Sequence, residues 1–127
     1  DTAEFKRIIT SRISKHNPLY YYGKRHLQLI HATLRMNCSK LKYHLFSMNI
    51  IPDNACACGQ GSEDTYHYFF TCPLYARDRI KMQNAIYEIG PVNLHTLLFG
   101  SDNLSYEQNT CIFDSVFEFI ENSGRFV

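Results

Sequence analysis

Apolar residues recur along this chain at steps of three and four, and that recurrence predicts a helical protein. The clearest stretch is residues 24–48. There Leu27, Ile30, Leu34, Cys38, Leu41, Leu45 and Met48 fall within about 40° of one line at about 100° per residue. Asn37-Cys38-Ser39 offers a break into two helices, with Ser39 capping the second. Upstream, Phe5, Ile8, Ile9 and Ile13 alternate with Lys and Arg and predict a short amphipathic helix over residues 3–15. His16-Asn17-Pro18 ends it, because Pro18 disfavours the α region at Asn17, and Tyr20 to Gly23 reads as extended or turn.

The downstream half carries more punctuation. A helix from Glu63 to Phe70 is expected with Ser62 as its cap, and Pro73 opens another, running to about Ile89 and stopped by Gly90-Pro91. Leu74, Tyr75, Ile80, Ala85, Ile86 and Ile89 are its expected buried side. Asn93 caps a short helix through Leu97 and Leu98, closed by Gly100. Ser105 and Gln108 form a capping box, after which Ile112, Phe113, Val116, Phe117 and Ile120 make a core-facing stripe ending near Ser123-Gly124. Cys111 reads as a buried thiol.

At 127 residues the chain predicts one mostly-α domain with three parts: a basic helical part (1–50), a metal knuckle (51–76) and a helical C-terminal part (77–127). No stretch has the length and apolarity of a membrane span. The first residue is Asp1, not Met, and no secretory leader opens the chain, so a piece of a larger intracellular protein is expected.

Net charge is +1, but residues 1–50 hold nine basic residues against two acidic, while residues 51–127 hold four against ten. A basic half beside an acidic one suits a polyanion partner, or two solvated faces that pair with each other. Lys24, Gln28, Arg35 and Lys42 share a flank roughly 80–120° from the apolar line. With Arg25, Lys40, Arg77 and Arg79, the basic members of that flank are the candidate phosphate contacts. Tyr20, Tyr21 and Tyr22 are candidate stacking platforms for bases.

One short stretch carries the most specific chemistry. Cys56, Cys58, His67 and Cys72 form C-x-C-x8-H-x4-C, four soft-metal donors within 17 residues. Zinc accepts thiolate and imidazole in a closed tetrahedron, and Gly59 and Gly61 permit the sharp turn that would gather the first two sulphurs. His67 and Cys72 are five apart, which a regular α-helix would place on different flanks, so the segment must leave α geometry before Cys72. Two other readings exist for the cysteines: ordinary buried thiols, or disulfides, which an odd count of five disfavours. A Cys nucleophile with His67 as base would need a free thiolate, which a metal would occupy.

Taken together, Leu34-Arg35, Leu41, His44-Leu45, Cys56-x-Cys58-Gly59, Glu63-Asp64, His67-Tyr68-Phe69-Phe70, Cys72-Pro73-x-Tyr75 and Arg77 resemble the C-terminal zinc-binding segment of non-LTR (LINE-type) retrotransposon reverse transcriptases. The resemblance covers residues 24–79. It implies one structural Zn2+ on Cys56, Cys58, His67 and Cys72, a nucleic-acid role at Arg35, and RNA or DNA together with the parent polymerase as partners. It also implies a nuclear or cytoplasmic setting. A protein-docking role for the zinc module is the alternative. No polymerase-type paired aspartates and no endonuclease-like acidic constellation are found in the sequence, so no catalysis is expected of this chain alone.

Overall fold

The computed structural model describes Tyr20 and residues 22–127; the helix predicted over 3–15, its stop at His16-Asn17-Pro18, and Tyr21 lie outside the described residues. Among the described residues five α-helices follow in order: α1 (Arg25–Arg35), α2 (Lys42–Ser47), α3 (Ala76–Ala85), α4 (Leu94–Phe99) and α5 (Tyr106–Ser123). No strand forms among the described residues. An isolated antiparallel bridge joins Ala55 to Ser62. The mostly-α class expected from the periodicity is the class observed.

The longest of these helices, α5, has 18 residues and a length of about 27 Å. Its start is the predicted capping box: the Gln108 N–H donates to Ser105 Oγ at 3.1 Å and the Ser105 N–H to Gln108 Oε1 at 2.9 Å. Gly124 ends it in the left-handed region. Ile112, Phe113, Val116, Phe117 and Ile120 are buried as the stripe predicts, and Phe119 joins them. The α3 helix packs most extensively along α5, while α1 and α4 pack on it and on each other. Asn93 caps α4 by accepting the Thr96 N–H at 2.9 Å, and Gly100 closes it.

The stretch 24–48 does break. Asn37 takes φ 57, the Cys38 N–H reaches Thr33 O at 3.0 Å and the Asn37 N–H reaches Leu34 O at 3.3 Å. This is a Schellman end with Asn at the left-handed position. The end of α2 repeats it through Asn49, with φ 60, and an Ile50 N–H bonded to Leu45 O at 2.9 Å. Each reversal resets the helical phase, so one apolar line does not run through both helices. Leu27, Leu34 and Leu41 are buried, but Cys38 and Met48 face solvent. Ser39 is not the helix cap. Its hydroxyl accepts the Leu41 N–H, one residue early, and the Lys42 N–H is taken instead by Glu63 Oε1 at 2.8 Å.

Burial also falls on polar residues the periodicity did not select. His31 lies in the core between α4 and α5. Its Nε2 is 2.8 Å from Leu97 O, its Nδ1 is 2.7 Å from Arg35 Nη1, and its ring meets Phe113 and Phe117 edge-on. A carbonyl only accepts and a guanidinium only donates, so the imidazole is neutral with its proton on Nε2. Burial, with Arg35 beside it, draws its pKa down to about 3. Gly23 passes directly over Phe117: its φ is 86, and a Cβ there would stand 2.6 Å from the ring.

Candidate metal centre

The backbone around the C-x-C-G motif closes a tight loop. The Cys56 N–H donates to Gly61 O at 2.8 Å, the Gly59 N–H to Cys56 O at 3.0 Å, and the Glu63 N–H to Asn54 O at 2.9 Å. Gly59 and Gly61 take φ of 80 and 93, where a side chain would be strained. The loop turns the Cys56 and Cys58 sulphurs to one side, and the Gln60 N–H points at Cys58 Sγ at 3.3 Å.

The following segment is helical from Thr65, and its cap is Asp64, not Ser62. The Asp64 carboxylate accepts the His67 N–H at 2.7 Å, while Ser62 is engaged in the bridge to Ala55. From His67 to Thr71 the helix widens into π geometry, and the Cys72 N–H bonds back five residues to His67 O at 2.7 Å. This widening is the departure from α geometry that the five-residue spacing required. It stacks Cys72 back over His67.

The four predicted donors come together. Cys56 Sγ lies 3.7 Å from Cys72 Sγ, Cys58 Sγ lies 3.3 Å from His67 Nε2, and all four donor atoms lie within 4.8 Å of one another. All five cysteines are free thiols, and 3.7 Å is far beyond the roughly 2.05 Å of a disulfide. The group can hold a metal ion, and among the described residues it is the one such cluster. Cys56, His67 and Cys72 are buried and Cys58 is half-buried. Burial pushes the Cys56 thiol up to about 12 and raises Cys72 as well. At Cys58 burial acts upward too, but the Gln60 N–H and the neighbouring thiols bring it below the usual range. Three thiols this close resist joint ionisation without a cation between them, so metal uptake here would expel protons.

The surrounding residues hold the loop in place. Glu63, only 3% exposed, receives Arg125 through Nε at 2.8 Å and Nη2 at 2.6 Å as well as the Lys42 N–H. Burial works to raise its pKa, but Arg125 and Lys42 hold it below the usual carboxylate range. Arg125 also donates to Lys40 O at 2.9 Å, tying the end of the chain to the start of α2. His44 accepts the Ser39 N–H at Nδ1 and meets Thr65 Oγ1 at Nε2. Behind the π turn, Tyr68 and Phe69 are fully buried against Phe119.

The basic candidates divide. Arg79 is not part of a basic surface. It is 8% exposed, and its guanidinium donates to the carbonyls of Phe69, Tyr68 and Cys72. Arg35 also turns inward, to His31, to Leu98 O at 3.3 Å, and over the Tyr20 ring at 4.6 Å, and burial draws it down to about 10. Lys24 shares Glu121 with His26 at the surface. Arg25, Lys40 and Arg77 are exposed and Lys42 is half-exposed; none of the four side chains makes an ion pair or hydrogen bond among the described residues. Tyr20 donates to Phe99 O at 2.9 Å and Tyr22 to Asp114 at 2.7 Å, so both rings are anchored to the protein.

On α3 the buried face is Arg79 and Met82, and Ile86, just past its end, is buried as expected. Leu74 and Ile80, expected inside, are 56% and 58% exposed, and Ala85 is exposed too. The carbonyls at the end of the π turn require a donor, and meeting that requirement sets the rotation of the helix. Cys111 is half-buried rather than buried, with Sγ 3.8 Å from Ala85 O. Sequence reasoning passed over Asp64 and Arg79 as supports. Asp64 had a readable signal, an acid three residues before His67 at the head of an apolar run. Arg79 had none. Among the described residues no helix is long and apolar enough to cross a membrane. No protein-family model matches the chain, and no curated protein or solved structure does.

Proposed function

We propose that Cys56, Cys58, His67 and Cys72 bind one structural Zn2+, and that the domain is a nucleic-acid-binding module of a retroelement reverse transcriptase. The observation that carries the metal reading is the convergence of four donors from the order C-x-C, H, C into one cluster. Thiolate–zinc bonds of about 2.3 Å and imidazole–zinc bonds of about 2.0 Å give tetrahedral edges of roughly 3.8 Å between sulphurs and 3.5 Å between sulphur and nitrogen. The separations of 3.7 Å and 3.3 Å suit that figure. Three thiolates and one imidazole close the coordination sphere, so the ion would hold structure and leave no position for a substrate. The module is non-catalytic on this reading, and an intracellular setting, nuclear or cytoplasmic, goes with it.

The nucleic-acid part is supported by the residue pattern shared with LINE-type reverse transcriptases and by the basic charge of residues 1–50. The chain's role would be positional. Arg25, Lys40, Lys42 and Arg77 meet phosphates of template RNA or target DNA, and exposed Tyr43 and Tyr66 offer stacking faces in place of the anchored Tyr20 and Tyr22. A gel-shift titration with single-stranded RNA and DNA at several salt concentrations tests it. Binding that weakens steeply with salt is expected. A second reading, docking on a polymerase core, is favoured by an apolar cleft of 640 Å³ between Phe70, Met82, Ile86, Tyr87 and Val92. Absence of any shift at low salt would select docking.

A further inference from the structure

We propose that Arg79 is the counter-cation and positioning residue of the metal centre. The inference rests on the metal reading above and extends it to a residue outside the C-x-C-x8-H-x4-C motif.

Three features converge on this arginine. The first is where its donors go. Nη2 reaches Cys72 O at 2.7 Å and Tyr68 O at 3.2 Å, and Nε reaches Phe69 O at 2.8 Å. The helix stops at Cys72, whose ψ of 123 turns the chain out into the short 3-10 turn Pro73–Tyr75. Carbonyls at such an end lose their in-helix partners. A planar guanidinium can serve three of them at once, which an ammonium on a flexible stem does poorly. One of the three belongs to a ligand, so the clamp bears directly on where the Cys72 sulphur points.

The second feature is the missing partner. Arg79 is 8% exposed, yet no carboxylate pairs with it among the described residues. A buried cation without an anion is costly. Three thiolates around a dication leave the cluster one negative charge, and that charge balances the arginine.

The third is the contrast with Arg125, which is also partly buried but has Glu63 as its anion. Glu63 answers Arg125 beside the metal loop, whereas Arg79 has backbone carbonyls as its partners and no carboxylate among the described residues.

The test uses the full 127-residue chain with cobalt(II) as the spectroscopic metal and zinc affinity by competition. Arg79→Met, Arg79→Lys and Val116→Ala are compared, the last a core variant on α5 that is neither a donor nor bonded to one. Arg79→Met is expected to lose about 10- to 100-fold in metal affinity, the usual cost of removing a group that supports the ligands. Its cobalt d–d bands should shift, Arg79→Lys should recover part of both effects, and Val116→Ala should leave the bands unmoved. The proposal is overturned if Arg79→Met gives the wild-type spectrum with an affinity loss no larger than that of Val116→Ala. Should Arg79→Met fail to fold at saturating metal, Arg79→Lys decides: weaker binding with altered bands supports the proposal, and wild-type behaviour overturns it. Failure of the unaltered chain to take up metal overturns the zinc reading and this inference together. Metal uptake unaffected at Arg79 overturns this inference alone.

Discussion

His31 and His67 are both buried imidazoles, and each has an inward-turned arginine nearby, Arg35 for the first and Arg79 for the second. At His31 both ring nitrogens are satisfied by protein, one by the Leu97 carbonyl and one by Arg35. The ring is wedged against Phe113 and Phe117 and held neutral. At His67 the ring nitrogen Nε2 faces the Cys58 sulphur, with two more sulphurs inside 4.8 Å. The arginine there serves backbone carbonyls and leaves the ring alone. Burial alone therefore does not mark a ligand histidine. What each ring nitrogen faces does, and His44, held between Ser39 and Thr65, falls on the structural side of that line.

The contrast is broken most severely at Cys58. Cys58→Ser is expected to abolish metal uptake and unfold the segment from Asn54 to Cys72, since binding free energy of about 10–16 kcal/mol in small zinc modules is folding free energy. Elemental analysis with circular dichroism checks this, and a retained metal equivalent would remove Cys58 from the ligand set. His31→Ala should cost roughly 2–4 kcal/mol through a core cavity and an orphaned Leu97 carbonyl, while metal content stays unchanged. Urea unfolding of the metal-loaded protein reads the first and elemental analysis the second.

The same histidine gives a pH dependence with a definite sign. Its folded pKa of about 3 lies below the ordinary 6.5, so between those values the unfolded chain holds more protons. Stability contributed by the neutral ring is complete above pH 6.5 and declines as pH falls towards 3, by up to about 5 kcal/mol at about 1.4 kcal/mol per unit. The difference between wild type and His31→Ala isolates this slope from the ligands' own titration, and parallel curves would contradict the assignment.

Smaller effects follow away from both histidines. Gly23→Ala should cost about 1–3 kcal/mol, from the Phe117 collision and a φ of 86 that suits glycine. Thermal unfolding measures it, and an unchanged melting temperature would mean that α1 can shift its start. Replacing Lys24, Arg25, Lys40, Lys42 and Arg77 together by Gln should move stability least, within about 0.5 kcal/mol per site, because the Lys24–Glu121 pair is exposed on both sides. The same variant should weaken RNA or DNA binding and flatten its salt dependence.

What could be read from the chain was what neighbouring residues decide among themselves. The Ser105–Gln108 box, the Asn93 cap, the α5 stripe and the C-x-C-G turn depend on residues within a few positions, and each formed as expected. The need for His67 and Cys72 to escape α geometry also followed from spacing, although its form as a π turn did not. Residues whose roles depend on distant partners were misplaced. Arg79 was assigned outward and Leu74 and Ile80 inward, because the carbonyls that turn α3 belong to another segment. Cys38 and Met48 were placed in the core, because two Asn-headed Schellman ends reset the phase. The Glu63–Arg125 pair spans 62 residues and leaves no local trace.

The most direct test is the metal content of the purified, reduced protein by elemental analysis, paired with a thiol count. One equivalent of zinc per chain, with Cys56, Cys58 and Cys72 protected from alkylation until a chelator is added, is the predicted result. A metal-free protein after reconstitution with zinc, with all three thiols freely modified, would contradict the account.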